Sequence, residues 1–282
     1  MQKLQNKNPL VSPVVKWAGG KRQLLSKIVE IIPSSYSTYY EPFLGGGALL
    51  FYLQPKSAIV NDSNAALMNV YRLVREHPED LIEDLRHHEN TLDYYYRIRG
   101  INRDPSEYNS FSEVKKASRL IYLNKTCYSG LFRVNRAGEF NSPFGYYKSP
   151  NIVNEINLRA VSEYFNAANI VFRTGDFDEA LRGIRKGAFV YFDPPYDPVS
   201  ISSNFTGYTD VGFNRNEQER LKVTCDRLNR MGIGFLLSNS ATDFIKRLYR
   251  GYNVKIISAR RQINAHGSLR GNVDEVLINN YE

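Results

Sequence analysis

Residues 188–196 read AFVYFDPPY, an apolar run followed by an acidic residue, two prolines and a tyrosine. Five apolar residues, 188–192, are typical of a buried strand, and two prolines end it. Because ligands of open α/β sheets bind at the carboxyl ends of the strands, Asp193 is predicted to lie at a ligand site. A rigid turn that binds nothing is the competing interpretation of an isolated DPPY sequence.

Short apolar segments on both sides of this stretch alternate with helical patterns. Strands are predicted over 38–43, 57–62, 169–172, 187–192, 233–237, 252–259 and 273–279. Helices are predicted over 48–53, 214–231 and 243–250. Buried strands separated by helices indicate a doubly wound, mostly parallel sheet of the α/β class.

This alternation stops between Asp62 and Asn169. Apolar residues there recur at helical spacing, and Ser110 with Glu113 resembles a helix capping box. Residues 128–147 are rich in glycine, asparagine and aromatic residues, which is typical of a hairpin or an irregular loop. The sequence therefore predicts a separate, mostly helical module in the middle of the chain.

The segment EPFLGGG, residues 41–47, follows the first predicted strand. A glycine turn between a strand and a helix lets a ligand approach the backbone, although many such turns bind nothing. Asp62 ends the next strand about 20 residues after Phe43, the interval at which an acidic side chain meets ribose hydroxyls in such folds. Helix capping is the alternative role for Asp62.

Two further segments are candidates for ligand contact. Asp176 and Phe177 follow the strand at 169–172 and are placed to set a carboxylate and a ring beside an adenine, although an Asp before a helix is more often a cap. The segment KWAGGK, residues 16–21, holds the only tryptophan, a residue type that is usually core. Its lysines and glycines favour a cationic loop near a ligand, and its spacing is not that of a P-loop.

The charge of the chain favours a polyanionic partner. The formal net charge is +8 with an isoelectric point of about 9.3. Ten Lys and Arg residues against four Asp and Glu lie between Arg97 and Lys148. Rings interleave with arginines over 128–147, a mixture that fits DNA contact, although about half of these rings are expected to be core.

Other classes of protein are disfavoured. Two cysteines, Cys127 and Cys225, argue against a disulfide scaffold, and the four histidines show no metal-ligand spacing with them. No apolar run approaches the roughly 20 residues that a membrane span needs, and the first ten residues lack the apolar stretch of a signal peptide. We therefore expect a cytoplasmic protein with no bound metal and no membrane partner.

Together these segments resemble Dam-type DNA adenine methyltransferases of the alpha group, which include the modification enzymes of GATC restriction systems. KWAGGK is similar to that family's amino-terminal cofactor motif, EPFLGGG to its glycine loop, Asn61-Asp62 to its acidic motif and DPPY to its catalytic motif. The recognition module stands between the glycine loop and the catalytic motif, which is the alpha arrangement. The resemblance covers nearly the whole chain.

The resemblance implies a Rossmann-like methyltransferase domain, residues 1–68 and 155–282, and an inserted, mostly helical DNA-recognition domain with a hairpin, residues 69–154. The implied catalytic residues are Asp193, Pro194, Pro195 and Tyr196. The implied contacts to the cofactor S-adenosylmethionine are Trp17, Lys21, Phe43, Gly45, Asp62, Asp176, Phe177 and Asp193. A monomer or weak dimer is expected.

The resemblance also implies a DNA-reading hairpin. Its implied DNA contacts are Lys16, Tyr128, Ser129, Leu131, Arg133, Pro143 and Tyr147, with Tyr128 intercalating and Arg133 reading guanine. The chain departs from the family pattern at Tyr146, where Arg is usual, and at Ser129, where Asn is common. A phosphate contact of the family is therefore in question at Tyr146.

The reaction that the resemblance implies is methyl transfer to N6 of adenine in double-stranded GATC sites, with the base flipped out of the helix. A carboxylate and a rigid carbonyl, each accepting one N–H, favour a pyramidal nitrogen whose lone pair points at the methyl donor. The same chemistry serves cytosine N4 or adenine in RNA, and a DNA-binding protein of this fold without catalysis is a further alternative. Both a chain with a cognate restriction endonuclease in the same system and an orphan methyltransferase are compatible with the sequence. The loop 197–212 is expected to close over the flipped base.

Overall fold

The computed structural model describes residues 7–17, 21, 24–199, 213–260 and 272–282. These residues form seven strands: β1 (Tyr39–Glu41), β2 (Ser57–Asp62), β3 (Asn169–Thr174), β4 (Phe189–Phe192), β5 (Gly234–Ser240), β6 (Asn253–Arg260) and β7 (Asn272–Asn279). They also form ten α-helices: α1 (Leu25–Ile31), α2 (Ala48–Leu53), α3 (Ala65–Glu76), α4 (Pro78–Arg86), α5 (Leu92–Gly100), α6 (Pro105–Ser110), α7 (Glu113–Thr126), α8 (Glu155–Ala167), α9 (Arg215–Arg230) and α10 (Asp243–Leu248). The predicted α/β class is confirmed.

The chain divides into two compact units. The first lies within Lys21–Phe43 and Asp176–Glu282, and the second within residues 7–17 and Leu44–Gly175. Helices α3 to α8 all belong to the second unit, as does the strand pair β2 and β3. The inserted recognition domain over 69–154 stays a prediction.

In the first unit the strands follow the order β1-β4-β5-β7-β6. β1, β4 and β5 are parallel, and β7 runs antiparallel between β5 and β6. All four residues of β4 are buried, as expected for a parallel strand that is covered on both faces. Because Phe192 pairs with Leu237, Asp193 and Ser238 follow at the same edge of the sheet.

Helix α9 of the first unit begins at a side-chain cap. The Asn214 side chain accepts hydrogen bonds from the backbone N–H groups of Asn216 and Glu217. Gln218 and Leu221 are buried three residues apart, so the first turn of α9 is fixed against the unit's interior.

In the second unit β2 and β3 pair in parallel, from Ser57 opposite Asn169 to Asp62 opposite Thr174. In the chain segment that joins these two strands, α3 buries Leu67, Tyr71 and Val74. This helix contacts α7 and α8.

The predicted capping box at Ser110 is wrong. Ser110 ends α6, whereas the extended Ser112 caps α7 by accepting the N–H of Lys115 at 3.3 Å. Glu113 is the first residue of α7 and pairs with Lys116 at 2.8 Å. A cap needs extended backbone, and the helical conformation of Ser110 does not provide it.

Residues 127–144 of the second unit form an irregular hairpin. Antiparallel bridges join Cys127 to Phe144 and Val134 to Phe140. Gly138 closes the turn with φ +79°, a left-handed conformation that glycine adopts without strain. Cys127, Phe140 and Phe144 of the hairpin form a core cluster with Tyr95, Tyr122 and Leu123.

Across the described part of the chain, every helix is too short or too polar to cross a membrane. The same residues contain no group of three or more His, Cys, Asp or Glu side chains that is arranged to hold a metal ion.

Candidate active site

Asp193 directly follows β4, and two donors orient its carboxylate. Lys21 Nζ lies 2.8 Å from Asp193 Oδ1. Ser238 Oγ, from the neighbouring strand β5, donates to the same oxygen at 2.9 Å. Because the Lys21 side chain is only 7% exposed, water screens this ion pair weakly.

Tyr196 belongs to the same cluster. The Lys21 ammonium lies 4.3 Å from the centroid of the Tyr196 ring, and the Tyr196 hydroxyl donates to Glu275 Oε2 at 2.8 Å. Burial, and then the charges of Asp193 and Glu275, raise the pKa of Tyr196 well above its ordinary value. Tyr196 is therefore a neutral donor. The structure brings Lys21, Asp193 and Tyr196 together.

A second cluster in the first unit contains the predicted aromatic pair. Phe43 stacks on Phe177 with centroids 5.3 Å apart, and Phe213 meets Phe43 edge-on at 5.4 Å. The Arg220 guanidinium lies 4.3 Å from the Phe177 centroid and bonds both oxygens of Asp176. Although burial disfavours its charged form, the bonds from Arg220 lower the pKa of Asp176.

The second unit has its own cluster around Asp62, the last residue of β2. Asp62 Oδ2 accepts the N–H of Gly45 at 2.9 Å, and Oδ1 accepts the N–H of Asn64 at 2.9 Å. Burial raises the pKa of Asp62, and the two backbone hydrogen bonds offset this only in part. Helix α3 is capped by Asn64, whose Oδ1 accepts the Leu67 N–H at 3.0 Å. The helix-capping interpretation of Asp62 is therefore wrong.

Gly45 needs to be glycine. Its φ is +49°, and a Cβ there would lie 2.9 Å from Trp17 Cδ1. The Tyr71 hydroxyl donates to the Gly45 carbonyl at 2.7 Å, and the Trp17 ring stacks on Phe132 at 4.7 Å. The glycine loop is thus fixed against Trp17. Residues 18–20 of the KWAGGK motif lie outside the described residues.

One buried amide, Asn124, joins Lys16 to the hairpin. Asn124 Oδ1 accepts the Lys16 N–H at 2.8 Å, while Nδ2 donates to the carbonyls of Lys16 at 2.8 Å and Gly130 at 3.1 Å. Lys16 Nζ also lies 5.7 Å from the centroid of the Tyr147 ring. Lys16, the start of the hairpin and Tyr147, which follows the hairpin, therefore form one cluster within the second unit.

The hairpin and the residues just after it present rings and charge at the surface. Tyr128 is 61% exposed and Tyr146 is 73% exposed, and Pro143 is exposed as well. The exposed Arg133 bonds Asn141 through Nε at 2.7 Å and through NH2 at 3.2 Å. This partner orients the Arg133 guanidinium.

Ser129 and Leu131 lie between these residues on the hairpin. Ser129 has φ +57°, a left-handed conformation in which asparagine is enriched and serine is not. The family's asparagine therefore suits this backbone better than the serine present. Leu131 is half-buried, and its carbonyl accepts a hydrogen bond from Ser142 Oγ.

A family model of the D12 class N6 adenine-specific DNA methyltransferases matches residues 17–263. The chain belongs to this family. The D12-class chain is 42% identical to the type II methyltransferase M1.LlaDCHI of Lactococcus lactis subsp. cremoris, over 100% of this chain and 99% of the relative. It is 41% identical to the type II methyltransferase M.MjaIII of Methanocaldococcus jannaschii, over 96% of this chain and 99% of the relative. It is 32% identical to the DNA adenine methylase of Serratia marcescens, over 93% of this chain and 96% of the relative.

These findings confirm the predicted family and the adenine-specific activity on DNA. The matched family consists of adenine-specific enzymes that act on DNA. The match therefore argues against methyl transfer to cytosine N4 or to adenine in RNA, and against a DNA-binding protein of this fold without catalysis.

Several contacts of this D12-class site were not predicted from the sequence. Ser238 had a usable signal, because the polar residues 238–240 end an apolar strand at the sheet edge where Asp193 lies. Glu275 had none, since the antiparallel placement of β7 beside β5 depends on long-range pairing. Phe213 and Arg220 also had no local signal, because only tertiary packing brings them to Phe43 and Phe177.

Proposed function

We propose that this methyltransferase transfers a methyl group from S-adenosylmethionine to N6 of adenine within GATC sites of double-stranded DNA. The observation that carries the proposal is the Asp193 carboxylate, oriented by Lys21 and Ser238 directly after β4. The amino group of adenine is a poor nucleophile because its lone pair is delocalised into the ring. A fixed acceptor for its N–H reduces that delocalisation.

In the proposed site the Asp193 carboxylate and the Pro194 carbonyl each accept one N–H of the target amine. As the carbon–nitrogen bond forms and the bond from that carbon to the donor sulfur breaks, positive charge develops on N6. The Asp193 carboxylate would stabilise this charge until an N6 proton is lost to water. The Tyr196 ring is proposed to stack on the adenine. The base must leave the helix to reach these groups, at a cost of a few kcal/mol in unstacking and unpairing.

The side chains in each unit suit S-adenosylmethionine, which supplies an electrophilic methyl group on a sulfonium sulfur. A carboxylate has about four lone-pair sites, so Asp62 retains acceptor capacity for ribose hydroxyls beyond its bonds to Gly45 and Asn64. The stacked rings of Phe43 and Phe177 suit an adenine. The proposed cofactor set also includes Trp17, Lys21, Gly45, Asp176 and Asp193.

We assign DNA recognition to the hairpin. Exposed Tyr128 is suited to enter an opened base step, and the oriented guanidinium of Arg133 is suited to bond guanine. Lys16, Ser129, Leu131, Pro143 and Tyr147 complete the proposed contacts. The segment proposed to close over the base, 197–212, lies outside the described residues from 200 onward.

We also propose that the chain is the modification enzyme of a restriction–modification system with a cognate endonuclease. The support is that M1.LlaDCHI and M.MjaIII, at 42% and 41% identity, are both named type II methyltransferases.

The test is expression in a host that lacks adenine methylation, followed by sequencing of modified bases. We expect N6-methyladenine at GATC with the wild-type chain and none with Asp193→Asn. Methylation at another sequence would overturn the GATC assignment alone. Full methylation by Asp193→Asn would overturn the proposed role of the DPPY tetrad.

A further inference from the structure

We infer that Gln218 and Asn239 are positioning residues that hold the backbone on both sides of Tyr196, an inference that rests on the proposed role of the DPPY tetrad. Gln218 Nε2 donates to the Pro195 carbonyl at 2.8 Å. Asn239 Nδ2 donates to Gln218 Oε1 at 3.0 Å, and Asn239 Oδ1 accepts the Asp197 N–H at 3.0 Å. The two amides therefore bridge the residue before Tyr196 to the residue after it.

The hydrogen bonds allow only one orientation of each amide. Asn239 Oδ1 accepts two backbone N–H groups, from Asp197 and from Ser240 at 2.8 Å. Its Nδ2 must then point to Gln218 as a donor, which makes Gln218 Oε1 the acceptor and leaves Nε2 for the Pro195 carbonyl. Turning either amide would set donor against donor or acceptor against acceptor, so the relay specifies one backbone geometry.

Burial makes this relay costly to disturb. Gln218 is 1% exposed and Asn239 is fully buried. Glutamine is mostly exposed in proteins, and packing of α9 alone would be served by an apolar side chain at this position. A buried polar group without its partner is unfavourable, so the pair is expected to stay bonded.

The side chain of Asp197 adds a second restraint after the tetrad. Its carboxylate accepts from Arg215 Nε at 3.0 Å and from Thr242 Oγ1 at 2.7 Å, and its side chain is 1% exposed. Arg215 and Gln218 both belong to the first turn of α9, which Asn214 caps. The same helix end therefore bonds the Pro195 carbonyl and the Asp197 carboxylate, on the two sides of Tyr196.

The test is Gln218→Met, which keeps the side-chain volume and removes both hydrogen bonds. We expect kcat at saturating DNA and S-adenosylmethionine to fall by about tenfold or more, with the KM for DNA and the Kd for the cofactor changed by less than about twofold. The matched control is Asn280→Leu. Asn280 bonds the Phe235 N–H at 2.9 Å and the Ile233 carbonyl at 3.0 Å, at the amino end of β5, and this variant should keep the wild-type kcat.

A second variant, Asn239→Asp, keeps an acceptor for Asp197. When assayed at a pH at which the new carboxyl is ionised, it has no donor for Gln218 Oε1 and turns the Gln218 amide away from Pro195. It should also lower kcat, and the double variant should be no more than about twofold slower than the slower single variant, because both break one relay. If Gln218→Met fails to fold, Asn239→Asp decides. A wild-type kcat in the folded variants, or an equal fall in Asn280→Leu, would overturn the inference.

Asp193→Asn separates this inference from the proposed function. If Asp193→Asn is inactive while Gln218→Met turns over at the wild-type rate, only the relay fails. If Asp193→Asn methylates normally, the catalytic role of the tetrad fails first.

Discussion

At the scale of single residues, Asp62 allows the cofactor assignment to be tested. Its buried carboxylate is held by two backbone N–H groups, and burial raises its pKa, so further O–H donors would stabilise the ionised form. Asp62→Ala is predicted to weaken S-adenosylmethionine binding by about 1.5–3 kcal/mol, measured by calorimetry.

Asn64→Ala is the control for Asp62, because Asn64 is the cap of α3. It should lower the free energy of unfolding by about 1 kcal/mol and leave cofactor affinity unchanged. An unchanged dissociation constant in Asp62→Ala would remove Asp62 from the cofactor set.

Arg133 is the residue on which sequence discrimination is predicted to depend. If its guanidinium, oriented by Asn141, bonds guanine in two places, Arg133→Ala loses about 1–3 kcal/mol of discrimination at that base pair. Methylation rates on GATC and on singly altered sites, at two salt concentrations, measure this. Arg136→Ala provides the contrast: if the exposed Arg136 contacts a phosphate, its loss weakens binding at all sites alike and lowers the salt slope by about 0.9. The same uniform loss in Arg133→Ala would make Arg133 a backbone contact.

At the scale of elements, His88 links three helices of the second unit. It follows α4, contacts the Tyr94 hydroxyl of α5 at 2.8 Å and Ser118 Oγ of α7 at 3.0 Å, and stacks on Tyr122 at 4.3 Å. Burial lowers the pKa of His88 to about 4, although the Asp84 carboxylate opposes this shift. The neutral ring is therefore the form that holds the helices together.

The sign of the pH effect follows from that shift. The folded pKa lies below the unfolded value of about 6.5, so the stability that neutral His88 provides is complete above pH 6.5 and is lost as the pH falls towards 4. At pH 5 the loss should be about 2 kcal/mol, measured by denaturant unfolding at pH 7 and pH 5. His88→Gln should show a smaller loss between these pH values, whereas the exposed His77→Gln should behave like wild type. Equal losses in all three proteins would exclude His88 as the cause.

The elements also show which features a sequence can predict. β4 and α9 were predicted to within about two residues, because an apolar run and the Asn214 cap are local signals. The predicted capping box at Ser110 was wrong because the sequence offers two serines, Ser110 and Ser112, ahead of α7. Only Ser112 has the extended backbone that a cap needs. The bond from Tyr196 to Glu275 and the relay from Gln218 to Asn239 depend on which strands and helices meet, which no local pattern encodes.

At the scale of the whole molecule, the charge is uneven along the chain. The formal net charge of the whole chain is +8. Between Arg97 and Lys148 alone, ten basic residues stand against four acidic ones, so this segment carries most of the excess. If this segment contacts DNA, the position of a charge matters more than the total. Electrostatic binding to DNA weakens with salt with a slope of about 0.9 per phosphate contact, so the slope counts contacts directly.

Two double variants with the same loss of charge separate position from total. Arg136→Gln with Lys148→Gln removes two exposed charges from the hairpin region, and Arg230→Gln with Arg250→Gln removes two from the first unit. The hairpin pair should lower the slope of log binding constant against log salt by about 1.8, measured on DNA without GATC, and the control pair should leave it unchanged. Equal slopes for the two pairs would mean that net charge alone attracts DNA. A lower slope confined to the hairpin pair would place phosphate contacts beside Arg133, where the base-reading prediction requires them.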